Sequence, residues 1–368
     1  MVTITEEAVL ERLRGVEDPE LHRSIVDLGM VKRIAIEGGR VHVDVSLTVQ
    51  GCPLTYRIER EVKEAVGSLD GVNGPDAVEV TLGVMTPEEL QAVSAKVRGG
   101  QPAGAAGAPS PPSPFTSGDL RTRVLIVASG KGGVGKSTVA ANLGAALAAR
   151  GKSVGLLDAD VYGFSIPRIV GLKEAPRVIT DGVIIPPEAS GMKVMSMGSL
   201  VEERQPVIWR GPMLSKLIGQ FLGEVQWGEP DYLVVDSPPG TGDVAISLQG
   251  QLPKGAVLLV TTPQELASSV AARVSAMAGR TGQRVVGVVE NMSYFACPHC
   301  GERTQLFGGG GAEGLAQELH VPLLAQLPLV PQVAQFADRG TPAVLAAPDS
   351  EAASAFLALA AAVDALEW

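Results

Sequence analysis

The segment Gly130-Lys131-Gly132-Gly133-Val134-Gly135-Lys136-Ser137-Thr138 gathers four glycines, two lysines and two hydroxyls into nine residues. It matches G-x-x-x-x-G-K-[ST], follows a strand-like apolar run, Val124 to Ser129, and opens a helical stretch, Lys136 to Arg150, closed by Gly151. Glycines let backbone N–H groups curl around phosphate oxygens, and the helix N-terminus adds partial positive charge. Lys136 is then placed to reach the β and γ oxygens, and Ser137 to hold Mg²⁺. The ligands expected are ATP and Mg²⁺. Lys131, a second lysine near the start of the loop, can reach phosphates of its own site or those across a dimer.

Phosphoryl transfer also needs carboxylates that position metal and water. Leu233-Val234-Val235-Asp236 ends a strand in an acid and is followed by Ser237-Pro238-Pro239-Gly240. Asp236 is thereby expected at the carboxyl edge of the sheet beside the magnesium, and Gly240 resembles a γ-phosphate-sensing turn. Asp158-Ala159-Asp160 follows the strand Val154 to Leu157. Asp158 is expected to support the metal and Asp160 to orient the attacking water, with helix N-capping as the other reading of either. Lys131, Lys136 and Asp160 are the catalytic candidates.

Cys297-Pro298-His299-Cys300-Gly301 follows a strand-like run, Arg284 to Glu290, and has the spacing of a metal-binding knuckle. A four-thiolate site needs two more ligands, and the remaining cysteine, Cys52, lies far away in sequence. Two copies of one turn across a two-fold axis supply four thiolates. Iron–sulfur and zinc both suit that set, while a redox pair or an inert turn are the other readings. His299 is the lesser ligand candidate. Cys52, in Thr48 to Leu54 between a strand and a helix, is either an accessory thiol activated by the helix N-terminus or a buried packing residue.

These residues need a scaffold, and the chain alternates strand-like and helical runs to supply one. After residue 120, strands are expected at Val124 to Ser129, Val154 to Asp158, Leu233 to Asp236, Ala256 to Thr261 and Arg284 to Glu290, with helices between them, notably Glu265 to Arg280. That is the signature of an α/β fold with a doubly wound, mostly parallel sheet. Before residue 99, helices at Glu6 to Arg14 and Arg57 to Ser68 and strands at Val41 to Thr48 and Ala77 to Leu82 make a small α+β domain. Gly99 to Asp119 is rich in Gly, Pro, Ala and Ser and reads as a linker. The expected division is therefore 1–98, linker 99–119 and 120–368.

The whole chain has 368 residues, with 30 Lys+Arg against 40 Asp+Glu, a formal charge of −10. That sign opposes phosphate-backbone neutralisation and anionic membrane surfaces, so neither nucleic acid nor membrane is an expected partner. The tail from Asp349 to Trp368 has four acids and no Lys or Arg, unlike a basic membrane-targeting helix. Three cysteines make no closed disulfide framework and the N-terminus has no signal-like segment, so the cytoplasm is the expected compartment.

Together these motifs resemble the Mrp/ApbC family of P-loop iron–sulfur cluster carriers, in the group that includes MinD, ParA and the nitrogenase iron protein. Asp158 to Pro167, Trp209 to Met213, Asp236 to Asp243, Glu290 to Gly301 and Phe307 to Gly311 carry the likeness, in family order. The resemblance implies a homodimeric ATPase that assembles [4Fe–4S] clusters or transfers them from scaffold to client apoproteins. It implies that Lys131 acts across a nucleotide-sandwich dimer, Asn291 contacts adenine, and Cys297 with Cys300 holds a cluster between subunits. Phe164 stands where this family is expected to have proline, which bears on the switch geometry. Residues 1–98 resemble the small iron–sulfur assembly domain fused to such carriers, through Asp18-Pro19-Glu20, Ser24 to Met30 and Thr48 to Leu54. A zinc-stapled dimeric P-loop ATPase with a regulatory or partitioning role is the alternative.

Overall fold

The computed structural model describes residues 4–18, 21, 23–48, 55–97, 113–116, 121–160, 163–180, 183–200, 211–240, 247–248, 250–264, 270, 273, 281–297 and 299–367. Cys52, most of the 99–119 linker, most of the Glu265 to Arg280 stretch, Trp209 and Arg210, and the end of the Asp236 to Asp243 motif lie outside the described residues. The described chain divides into two units, Met1–Pro109 with Arg177–Ile185, and Ser110–Pro176 with Pro186–Trp368.

In the first unit, α1 (Glu6–Leu13) begins at Thr5, whose hydroxyl accepts from the Ala8 N–H at 3.3 Å. Glu6 and Glu7 sit at the positive end of the helix, and Val9 and Leu13, one turn apart, are buried. A short antiparallel pair follows, β1 (Glu17–Asp18) and β2 (Arg23–Ser24). Then β3 (Val31–Glu37) runs antiparallel to β4 (Arg40–Leu47), and α2 (Thr55–Gly67) crosses over to β5 (Val78–Val84), parallel to β4. The helix α3 (Pro87–Val97) completes this part. Val41, Val43, Val45 and Leu47 of β4 alternate inward and meet Ile58, Val62 and Val66, which recur every fourth residue on α2. Each such fully buried side chain contributes about 1.5–3 kcal/mol. The strand β3 and helix α3 have no counterpart in the sequence reading, because half-buried β3 lacks the clean alternation of β4.

The second unit opens with β6 (Arg123–Ser129), α4 (Lys136–Ala149), β7 (Val154–Asp158) and α5 (Ile166–Val170). The chain next forms a hairpin, β8 (Arg177–Thr180) and β9 (Val183–Ile185), which belongs to the first unit and contributes Val183 and Ile185 to its core. Sequence periodicity is silent on this excursion. The second unit resumes with β10 (Glu188–Ala189), β11 (Met192–Ser196), α6 (Gly211–Gly223), β12 (Tyr232–Asp236), β13 (Ala256–Thr261), β14 (Arg284–Ala296) and β15 (Arg303–Thr304). A helix over Gly311–Leu319 leads to β16 (Leu323–Leu329), and helices over Pro331–Asp338, Ala343–Ala346 and Glu351–Asp364 end the chain.

The nine strands are ordered β10-β11-β7-β12-β6-β13-β14-β15, with β16 also on β14. Pairing is parallel from β11 through β14 and onto β16, and antiparallel at β10 and β15. The fold is the α/β, mostly parallel sheet expected from the alternating pattern. β7, β12 and β13 are buried along their whole length, as strands covered on both faces must be. Helix α4 is apolar on all sides because it lies between sheet and the helix Glu351–Asp364. β14 corrects the expected Arg284 to Glu290 strand, since it continues to Ala296, directly before Cys297. Among the described residues no helix is long and apolar enough to cross a membrane.

Candidate functional site

Helix α4 starts at Lys136, after a left-handed Gly135 with φ +80°. A Cβ on Gly135 would lie 2.2 Å from Asn291 Nδ2, so conformation and space both demand glycine. Asn291 uses that closeness to donate to the Val134 carbonyl at 2.9 Å. Asn142 fixes the same helix from the other side, donating to the Thr138 carbonyl at 2.9 Å and accepting from the Ala343 N–H at 2.7 Å. The loop is held by side chains from distant segments, with its Gly130 carbonyl also accepting from Arg273 Nη1 at 3.3 Å. Lys131 is exposed, and its carbonyl accepts from Ser129 Oγ at 2.9 Å.

Strand order brings the acids beside this loop. β12 lies between β6 and β7, and its register sets Asp236 next to Asp158. Lys136 Nζ donates to Asp236 Oδ1 at 2.5 Å and lies 3.5 Å from Ser137 Oγ. Asp158 accepts from Ser196 Oγ at 2.9 Å and from the Asp160 N–H at 3.1 Å. Two carboxyls and one lysine leave an excess negative charge out of water. Burial, reinforced by Asp236, accordingly pushes the Asp158 carboxyl up to about 8. Burial also raises Asp236, against the opposing pull of Lys136. Asp236 Oδ2 is buried and has no hydrogen-bond partner among the described residues. An unpartnered hard oxygen close to the Ser137 hydroxyl fits Mg²⁺ or a water bound to it. Asp160, 8% exposed, is close enough to Asp236 to raise its pKa further.

Lys136, Ser137, Asp158, Asp160 and Asp236 thus converge, as their spacing suggested. Gly240 is differently engaged, its N–H donating to the Ser129 carbonyl at 3.0 Å and closing its turn onto β6. Phe164 lies over Gly198, where a Cβ would meet its ring at 2.3 Å. The Gly198 N–H in turn donates to Ser196 Oγ at 3.1 Å, so the aromatic ring backs the hydroxyl that holds Asp158.

At the far end of β14, Cys297 and Cys300 sit in a tight turn closed by Cys297 N–H to Glu302 O, 2.9 Å, and Gly301 N–H to Cys297 O, 2.8 Å. Cys297 is half-buried; Cys300 and His299 are exposed. Backbone N–H groups of Cys300 and His299, with the Cys300 thiol, hold the Cys297 thiol below its usual range. Among the described residues no group of three or more His, Cys, Asp or Glu side chains could hold a metal ion. Among the described residues, one turn offers two thiols with no third ligand grouped beside them.

Residues 121–364 match the ParA family described as NUBPL iron-transfer P-loop NTPases. The chain belongs to that family. Residues 6–82 match the family described as iron-sulfur cluster assembly proteins. A curated protein of Mycobacterium leprae named "Iron-sulfur cluster carrier protein" is 47% identical, covering 96% of this chain and 91% of its own length. A solved nucleotide-binding protein from Archaeoglobus fulgidus, in complex with ADP, is 41% identical over 60% of this chain and 86% of that one, with a TM-score of 0.53. The septum site-determining protein MinD of Pyrococcus horikoshii shares the fold, at 24% identity, 66% and 96% coverage and a TM-score of 0.50.

In this family member, Ser196, Asn142 and Arg273 support the site without any sequence signal. Ser196 ends a strand that the sequence reading did not contain, and Asn142 looks like one more residue of an Ala-rich helix. Arg273 reaches Gly130 from 143 residues away.

Proposed function

We propose that this NTPase binds and hydrolyses ATP with Mg²⁺ and carries a [4Fe–4S] cluster, its cargo, between two copies of the chain before passing it to apoproteins in the cytoplasm. The observation that carries the reading is the pair of thiols, one lowered in pKa by neighbouring backbone N–H groups, at the tip of the strand that also touches the phosphate loop. Two such turns supply four thiolates, the set that the cluster needs. The curated relatives' names point to the same cargo.

Magnesium would be held by Ser137 and Asp236, where it would neutralise charge developing on the β and γ phosphates. Lys136, which donates to Asp236, turns to the phosphates of a bound nucleotide, while Asp158 keeps Asp160 in place through its backbone N–H. Asp160 orients the attacking water, and Lys131 reaches the nucleotide of the partner copy. Cys52 serves as an accessory thiol in loading or release, on a domain matching the assembly family.

Anaerobic reconstitution of the full chain with iron and sulfide tests the reading. One visible-absorbing cluster per dimer, lost in Cys297→Ser and in Cys300→Ser and transferable to an acceptor apoprotein, is the expected result. A colourless zinc-loaded dimer, or a full cluster on a verified monomer, would overturn the bridged-cluster assignment.

A further inference from the structure

β14 departs from regular strand geometry at one place. Between Glu290 and Tyr294 its pairing with β16 slips register, and Met292 in the middle has φ +57°. That left-handed backbone is strained for a long side chain. Among the described residues the other non-glycine cases are Ser190, in the turn between β10 and β11, and His320, at a helix C-cap. Met292 stands alone in having this conformation inside a strand.

Side chains clamp the bulge from both sides. Asn291 donates to the Val134 carbonyl at 2.9 Å. Ser293 Oγ donates to Glu290 Oε2 at 2.5 Å, and Gln326 Nε2 of β16 donates to the same oxygen at 3.0 Å. Glu290, Asn291 and Ser293 are all buried. Beyond the bulge the strand is braced again. The Tyr294 hydroxyl donates to Glu351 Oε1 at 3.0 Å, and Arg303 Nη2 donates to that oxygen at 2.8 Å with its guanidinium 4.5 Å from the Tyr294 ring centroid. Phe295 and Ala296 pair with Thr304 and Arg303, and Cys297 follows. The irregular joint therefore lies between the phosphate loop and the hairpin that leads into the thiol turn.

The Val134–Gly135 peptide is trans, so its N–H points away from the carbonyl that Asn291 holds. Phosphate received on that N–H polarises the peptide and makes its carbonyl a stronger acceptor. Nucleotide binding then tightens the Asn291 clamp and, through it, the bulge.

We propose that Asn291, Met292 and Ser293 form a positioning joint through which nucleotide on the phosphate loop steadies the Cys297–Cys300 turn. Only the purpose of this joint rests on the cluster-carrying reading; its motion belongs to the metal-free chain.

Hydrogen exchange followed by mass spectrometry on the full, metal-free chain, with and without saturating ADP and Mg²⁺, tests it. The amides of Cys297 and Gly301, both hydrogen-bonded within the turn, are the reporters. ADP should slow their exchange by roughly threefold or more, the size of a modest local stabilisation. Met292→Gly, which accepts positive φ freely, should keep the effect. Met292→Val, β-branched, and Ser293→Ala should bring the ratio close to one while calorimetry still reports bound ADP. If Met292→Val does not fold, Ser293→Ala decides. Unchanged exchange in ADP-bound wild type, or a wild-type ratio in the folded variants, overturns the joint. Failed reconstitution with the exchange ratio intact would defeat the cargo reading and leave the joint standing.

Discussion

Replacing Asp158 by Asn should remove most of the pH dependence of stability that the phosphate site imposes on the nucleotide-free protein. The native carboxyl is raised to about 8, by burial first and by Asp236 second. In the unfolded chain the same group titrates near 3.9. Below both values each state holds the proton and the native state keeps its full advantage. Between them the unfolded chain releases a proton that the native chain retains, so stability falls by about 1.4 kcal/mol per pH unit, and the fall levels off above pH 8. From pH 6 to pH 8 this one group removes about 2 kcal/mol, because its titration is half complete at the upper limit. For a unit of this size that corresponds to roughly 4–8 °C in Tm. Asn keeps the shape and an acceptor for the Asp160 N–H, and the Ser196 hydroxyl can rotate to accept from the new amide.

Thermal unfolding of wild type and Asp158→Asn, both free of nucleotide and magnesium, at pH 6, 7 and 8 measures the difference. The wild-type Tm should drop more steeply, with Asp236, shifted in the same direction, leaving a residual slope in both proteins. Parallel pH profiles would refute the charge assignment, since they would show that Asp158 does not retain its proton in the folded state.

Lys136→Ala should abolish saturable ATP binding by calorimetry, and wild-type affinity in that variant would remove the loop from the site. Mixing Lys131→Ala with Asp160→Ala chains should restore part of the hydrolysis, because one of the two composite sites regains both groups; no recovery in demonstrated heterodimers places Lys131 in cis. Cys52→Ser should leave hydrolysis intact while slowing cluster loading or transfer, and unaltered transfer by the folded variant would eliminate the accessory thiol.

The phosphate loop and its carboxylates were legible because each is a local pattern, glycine spacing or an acid ending an apolar run, with long-range order supplied by the regularity of a parallel sheet. Asp158 and Asp236 are 78 residues apart yet adjacent in register, and the strand ends alone point to their meeting. What escaped was set by tertiary contact. Ser196 matters only because β11 pairs with β7, and Asn142 only because Ala343 returns to it. The bulge at Met292 was hidden by a mostly apolar run whose first half reads as an ordinary strand, so the strand was expected to stop at Glu290. Phe164, where the family resemblance implies proline, gains its meaning from Gly198, which leaves room for the ring.

Asn291, in contact with the loop, precedes Cys297 by six residues, but the bulge sets Glu290 to Tyr294 against only Gln326 to Pro328 of β16, so the advance is that of about four strand residues, roughly 13 Å. That exceeds the roughly 8 Å Debye length at physiological salt, so phosphate charge is largely screened from the solvent-exposed side of the thiol turn. Influence then travels mainly through packed structure or through a partner copy. The two routes scale differently with concentration, since β14 works within a single chain while a dimer contact obeys mass action. Exchange protection of the Cys297–Cys300 turn that persists on dilution to monomer, with ADP still bound, would assign the coupling to β14. Protection that disappears with the dimer would assign it to the interface.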